Sequence, residues 1–226
     1  MKNELEIYNA CKEDPSLVFS FIKQEKFELV YDLIEKNIVH VNEVDNLGND
    51  VVTRLLKVRE YNLVILLMKK KNWNVNHQNV EGNTFGHILA NDNSPMAVKV
   101  VEELTKKSNY LPNIKNNKDQ TAMDIALNNN YLCTAFKLLE DKRFNNIDVT
   151  SFKNLFTTSI QNKSYGKYSK INNLEIIVDS LEKKELDSTM KDLVDNISEN
   201  LDKIKNDIMN NKSYTLEAII NNYTRA

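Results

Sequence analysis

An all-α fold built from repeated helical hairpins follows from three features of this 226-residue chain. Val41-Asn42 followed by Gly48-Asn49-Asp50 returns 34 residues later as Val75-Asn76 followed by Gly82-Asn83-Thr84, and Phe27, Tyr61 and Pro95 keep the same interval. A fixed period of that size is the signature of stacked repeats. Between the echoes, apolar residues fall three and four apart, which is helical spacing and not strand alternation. Only 4 Gly and 3 Pro interrupt the chain, as suits a mostly helical protein.

The pattern predicts a short helix over about 3–13. Asp14-Pro15-Ser16 then restarts the chain, because Pro is tolerated in a first helical turn, and Leu17, Val18, Phe21 and Ile22 continue at helical spacing. A helix over about 26–36 places Leu29, Val30, Leu33 and Ile34 on one face. Asn37 closes it, since Asn accepts the left-handed conformation of a helix stop. Asp45-Asn46-Leu47-Gly48-Asn49-Asp50 opens the next unit, with Gly48 where the turn needs unusual backbone angles. Val51, Val52, Leu55 and Leu56 mark its first helix; Leu63, Val64, Leu66 and Leu67 mark its second, which Asn72 ends. The third unit runs from Gly82 through Ala90, and its second helix starts at Ser94-Pro95-Met96, a Ser cap followed by Pro, with Val98, Val100, Val101 and Leu104 apolar. The fourth reads Asp119-Gln120-Thr121-Ala122-Met123-Asp124-Ile125-Ala126, then Leu132, Ala135, Phe136, Leu138 and Leu139.

These phrases resemble the ankyrin repeat family, whose first helix opens Gly-x-Thr-Pro-Leu-His-x-Ala and whose second ends in Leu-Leu, then Gly-Ala-x-Val-Asn. Thr84 and His87 match its Thr and His; Thr121, Asp124 and Ala126 match with Asp for His; Leu66-Leu67 and Leu138-Leu139 match the Leu pair; Val41-Asn42 and Val75-Asn76 match the Val-Asn. Pro is missing after Thr84 and Thr121, the step from Thr84 to Thr121 is 37 residues, and Asp119 replaces the usual Gly. The resemblance implies an ankyrin-repeat solenoid with a C-terminal helical cap. Its parts are an N-terminal capping helix over 1–14, about four repeats over 15–148, a degenerate fifth over 149–185 and a helical cap or assembly segment over 186–226. It also implies that Thr84, His87, Thr121 and Asp124 tie repeats together and are not catalytic.

Family members bind other proteins with hairpin tips and the concave ends of first helices. Carried over, that row is Asn46, Leu47, Asn49, Lys57 and Val58, then Val80, Glu81, Asn83, Asn91 and Asp92, then Asn117, Lys118, Gln120, Asn128 and Asn129. Leu47, Val58 and Val80 are apolar where exposure is expected. Trp73, the sole Trp, is either an interface anchor beside Lys69-Lys70-Lys71 or a residue packed under the hairpin. The implied function is a non-enzymatic scaffold or adaptor whose partner is another protein. Ankyrin proteins of large DNA viruses and intracellular bacteria act on host proteins, and the Asn and Lys bias here fits an AT-rich source of that kind. Residues 186–226 show no Leu-Pro opening like that of an F-box, so recruitment of ubiquitin machinery is not carried over.

The last quarter breaks the pattern. From Val149 to Leu174 no residue is acidic, and Lys163-Ser164-Tyr165-Gly166-Lys167-Tyr168-Ser169-Lys170 alternates Lys with Tyr. Such a segment reads as an insertion between two helices or as a single-strand nucleic-acid contact. Past Leu186, a stripe of Met190, Val194, Ile197, Leu201, Ile204 and Ile208 keeps heptad spacing behind a Ser188 cap, and a final helix from Thr215 carries Leu216, Ile219 and Ile220. The stripe is expected to cap the last repeat. A second reading, a structural component, has it assemble a dimer through 186–226.

Composition narrows the rest. The net charge of -2 gives no argument for nucleic acid or an anionic membrane. The first residues lack a hydrophobic signal core, and no apolar run reaches the roughly 18 residues of a membrane span. A cytoplasmic protein is expected. Cys11 and Cys133 sit in helical apolar patterns and are expected as buried free thiols. His40, His77 and His87 fall in no metal motif, and Gly82-Asn83-Thr84-Phe85-Gly86 lacks the Gly-Lys-Ser/Thr ending of a phosphate loop. No catalytic residue, cofactor or metal is expected.

Overall fold

The computed structural model describes residues 2–144, 149–161, 165–212 and 214–223. Among them the regular structure is helical, with one isolated bridge between Val44 and Asp50. The chain divides into two compact units, Met1–Ala122 and Met123–Ala226, so the division falls inside the fourth predicted repeat.

The first unit holds α1 (Lys2–Glu13), α2 (Leu17–Lys23), α3 (Phe27–Glu35), α4 (Val51–Lys57), α5 (Tyr61–Leu67), α6 (Phe85–Leu89) and α7 (Pro95–Thr105). The helices pair as α2 with α3, α4 with α5 and α6 with α7; α2, α4 and α6 pack in one row, and α5 packs on α7. Most of the apolar faces read from spacing form this core: Val30, Leu33, Val51, Val52, Leu55, Val64, Leu67, Val100, Val101 and Leu104 are buried, whereas Leu29 and Val98 are half-buried and Leu66 is exposed. Each buried Val or Leu side chain contributes about 1.5–3 kcal/mol relative to an exposed one. Asn37 does stop α3, with φ 54, and Glu25 and Arg59 take the same left-handed turn between paired helices. α5 ends at Leu67, five residues short of Asn72.

The links between hairpins are fastened by the repeated Asn. Asn42 donates to the Asn72 carbonyl at 2.7 Å and accepts from the Asn74 amide at 2.8 Å. Thirty-four residues on, Asn76 donates to the Asn109 carbonyl at 2.6 Å and accepts from the Leu111 amide at 2.9 Å. The Val41 and Val75 side chains beside them are buried.

The second unit contains α8 (Ala122–Asn128, its first residue being the last of the first unit), α9 (Leu132–Leu139), α10 (Val149–Phe156), a π-helical turn (Thr157–Gln161), α11 (Lys167–Glu182), α12 (Ser188–Glu199), α13 (Leu201–Met209) and α14 (Tyr214–Tyr223). The long α11 meets α9, the π turn, α12 and α13, while α14 meets α12 and α13. At 16 residues α11 is longer than any helix of the first unit.

Three expectations change here. The heptad stripe does not run along one helix: it breaks at Asn200, whose side chain donates back to the Asn196 carbonyl at 2.8 Å. Met190, Val194, Ile197, Ile204 and Ile208 are all buried within this unit, so the stripe is not an open dimer face. The cap of α12 is Asp187, which accepts from the Met190 amide at 2.8 Å, and Ser188 is the first helical residue. Cys133 is exposed, because it occupies the outer side of α9, while Cys11 is buried as expected. No helix among the described residues is long and apolar enough to cross a membrane.

Candidate functional site

Three hairpin tips of the first unit share one construction. Asp45 Oδ1 accepts from the amides of Leu47 and Asn49, both at 2.9 Å. Asn79 Oδ1 does the same for Glu81 and Asn83, both at 3.0 Å. Asn116 Oδ1 takes Lys118 at 2.9 Å and Gln120 at 3.1 Å. A short polar side chain thus closes each loop on its own backbone. Gly48, Gly82 and Asp119 follow three residues later with φ of 73, 73 and 58. Spacing alone did not single out Asp45, Asn79 and Asn116. The signal was present as an Asp or Asn three residues ahead of each left-handed turn.

The tips are joined to one another. The Val80 amide donates to the Leu47 carbonyl and the Asn117 amide to the Glu81 carbonyl, both at 3.1 Å. Beneath them Asn79 Nδ2 donates to Asn49 Oδ1 at 3.0 Å, and Asn116 Nδ2 to Asn83 Oδ1 at 2.8 Å. Histidines brace the same layer. His87 Nδ1 accepts from the Thr84 amide at 3.1 Å, which places the ring proton on Nε2, 2.9 Å from the Gln120 carbonyl it bonds. His77 Nε2 lies 2.8 Å from the Gly48 carbonyl. Because backbone and buried amides hold one tip to the next, the outward side chains sit on a firm row.

Within that row the expected residues separate into two sets. Asn46, Leu47, Lys57, Val58, Val80, Glu81, Asn91, Asn117 and Lys118 are exposed, with Val80 at 63 % and Leu47 at 48 %. Asn49 is fully buried, holding Asp45 and accepting from Lys57 Nζ at 2.9 Å, so it belongs to the scaffold and cannot touch a partner. Asp92 is half-buried and committed: it accepts from the Tyr61 hydroxyl and from the Ser94 amide at 2.8 Å, with Arg59 at 3.6 Å. The Tyr61, Ser94 and Arg59 contacts hold its carboxyl below the usual range even though burial pushes the other way. Asn83 and Gln120 are half-buried in the ladder. Asn128 and Asn129 are exposed at the end of α8, in the second unit.

Trp73 lies under the tips and is not an anchor on the surface. Its indole is 2 % exposed, stands edge-on to Phe85 at 5.1 Å and has Lys107 over its face at 5.6 Å. In the second unit, Lys163 and Ser164 of the Lys-Tyr segment lie outside the described residues. Lys167 is engaged with the Met209 carbonyl at 2.7 Å, while Tyr168 is exposed. Among the described residues no three His, Cys, Asp or Glu side chains converge as a metal site would require.

No protein-family model and no curated protein matches the chain.

Proposed function

We propose that the chain is an ankyrin-type repeat protein that works as a non-enzymatic scaffold or adaptor, binding another protein along the hairpin tips. The tip row carries the reading. Three loops share one hydrogen-bonded skeleton, yet their outward residues differ, which is the arrangement of a surface with a constant frame and variable contacts. Leu47 and Val80 support it further. They are apolar, exposed and neighbours through the main-chain bond between their tips. The proposed contact set is Asn46, Leu47, Val58, Val80, Glu81, Asn117 and Lys118, with Asn91 at its edge. A cytoplasmic site of action, including the interior of a host cell, fits this reading.

The test is a variant carrying Leu47→Asp, Val80→Asp and Lys118→Glu. All three side chains are exposed, so the variant keeps the wild-type denaturation midpoint. Affinity capture with mass spectrometry, run on both proteins, should lose its specific partners in the variant. Unchanged partners with an unchanged fold would refute the tip row as the binding surface.

A further inference from the structure

Each hairpin tip is a loop with two legs, and main-chain bonds join both the legs and the tips. Across the legs, the amides of Asp45 and Asn79 donate to the carbonyls of Asn49 and Asn83 at 3.0 Å, and that of Asn116 to Gln120 at 2.9 Å. From tip to tip the donors are Val80 and Asn117, and the acceptors Leu47 and Glu81. One repeat thus advances the row by two strand spacings, about 10 Å. The shared register puts Leu47, Glu81 and Lys118 at the equivalent place in successive tips, all three exposed. The row therefore presents an aliphatic, an acidic and a basic side chain in that order, with Val80 widening the aliphatic end beside Leu47. The remaining charges of the three loops are committed. Asp45 closes its own tip, and Asp119 pairs with Lys115 at 3.0 Å. Glu81 accepts from the Asn83 side chain at 2.9 Å, and neither Glu81 nor Lys118 forms an ion pair among the described residues.

We infer that the occupant of this row is an extended, polyproline II segment of another protein, carrying an aliphatic residue, a Lys or Arg, and an Asp or Glu at successive third positions. The inference rests on the reading of the tips as a partner surface and adds the partner's chemistry. A polyproline II chain has three residues per turn and rises about 3.1 Å per residue, so every third side chain returns to one face after about 9.3 Å. That matches the step of the tips. A β-strand turns every third side chain to its opposite face. An α-helix makes the step in about seven residues, but it is about 10–12 Å across and overhangs a strip two residues wide. Charge complementarity then orders the contacts: the aliphatic residue meets Leu47 and Val80, the base meets Glu81 and the acid meets Lys118. Charges placed in this way select partners by their order along the chain.

Selection of a phage-displayed library of random dodecapeptides on the full chain tests this. Enriched peptides should carry the aliphatic–basic–acidic order at three-residue steps, read in either chain direction. A synthetic peptide of the enriched sequence should bind at least tenfold more weakly to Glu81→Lys/Lys118→Glu, and selection on that variant should exchange the basic and acidic positions. Both side chains are exposed, and an unchanged denaturation midpoint is the fold control. Enrichment without a charge order, an order that does not exchange in the variant, or no enriched peptide overturns the inference. Peptides that lack the order but lose binding to Leu47→Asp/Val80→Asp leave the tip row standing as the binding surface. Peptides that bind Leu47→Asp/Val80→Asp as tightly as wild type overturn the tip row itself.

Discussion

Trp73 donates its indole N–H to the carboxylate of Asp50 at 2.8 Å, across 23 residues of chain, in a site where both are buried. Asp50 uses its other oxygen to cap α4 through the Thr53 amide at 2.6 Å. One carboxylate therefore both starts a helix and anchors the next hairpin. Trp73→Phe keeps the ring beside Phe85 but removes the donor, leaving a buried oxygen short of a partner. The expected loss is about 1–3 kcal/mol in urea denaturation. A loss within error of zero would show that the bond adds no net stability.

Asp50 also makes stability depend on pH. Burial pushes its carboxyl above the usual range, against the lowering effect of the Thr53 and Trp73 bonds. The folded state then holds this proton to a higher pH than the unfolded chain does. It binds more protons across that window, so stability falls as pH rises from about 4 through the folded pKa. Asp50→Asn keeps a capping oxygen and cannot titrate. Measured against wild type at a series of pH values, the variant should gain relative stability as pH rises through the window. A constant difference, or one moving the other way, contradicts the assignment.

Gly48 and Gly82 share φ of 73 but not their surroundings. A Cβ on Gly48 would stand 3.2 Å from the Val80 amide nitrogen, a tight contact. On Gly82 it would stand 2.7 Å from the Asn117 amide nitrogen, inside the next tip. Both Ala variants incur the left-handed penalty of roughly 1–2 kcal/mol. Gly82→Ala must also push the third tip away, so it should be the more destabilised of the two by thermal denaturation. Equal losses would mean that the third tip yields freely.

His87 joins the second tip to the third through its two ring nitrogens. His87→Ala removes the acceptor for the Thr84 amide and the donor for the Gln120 carbonyl in a buried layer. Denaturation should show a loss of about 2–6 kcal/mol, the sum of two such groups, and amide exchange at Thr84 should accelerate with it. Wild-type stability in the variant would remove His87 from the scaffold.

The two thiols should separate by reactivity. Cys133 is exposed, whereas Cys11 is buried and its thiol is pushed up by burial first and by Asp14 second. A thiol reagent in native buffer should modify Cys133 alone, and Cys11 only with denaturant. Labelling of Cys133→Ser in native buffer would place Cys11 at the surface.

Much of this was legible in the residues themselves. The 34-residue echo marks where hairpins recur, the 3.6-residue periodicity marks the buried faces of α3, α4, α5 and α7, and Asn37 and Gly48 stand where φ turns positive. These features are local: backbone sterics and one-sided burial act within a few residues, so the order of residue types determines them. Which tip residues are free was not local. Asn46 and Asn49 are the same residue type three positions apart, yet Asn49 alone is buried, held by Asp45 and Lys57 of its own unit and by Asn79 of the next hairpin. The packing of Phe85 and Lys107 likewise drew Trp73 inside, and α11 and α14 turned the stripe of α12 and α13 inward. Periodicity states that a side chain is apolar and on one face; the neighbour that covers it comes from tens of residues away. The sequence therefore determined the helices and their repeat, while the contacts between distant segments decided which side chains remain available to a partner.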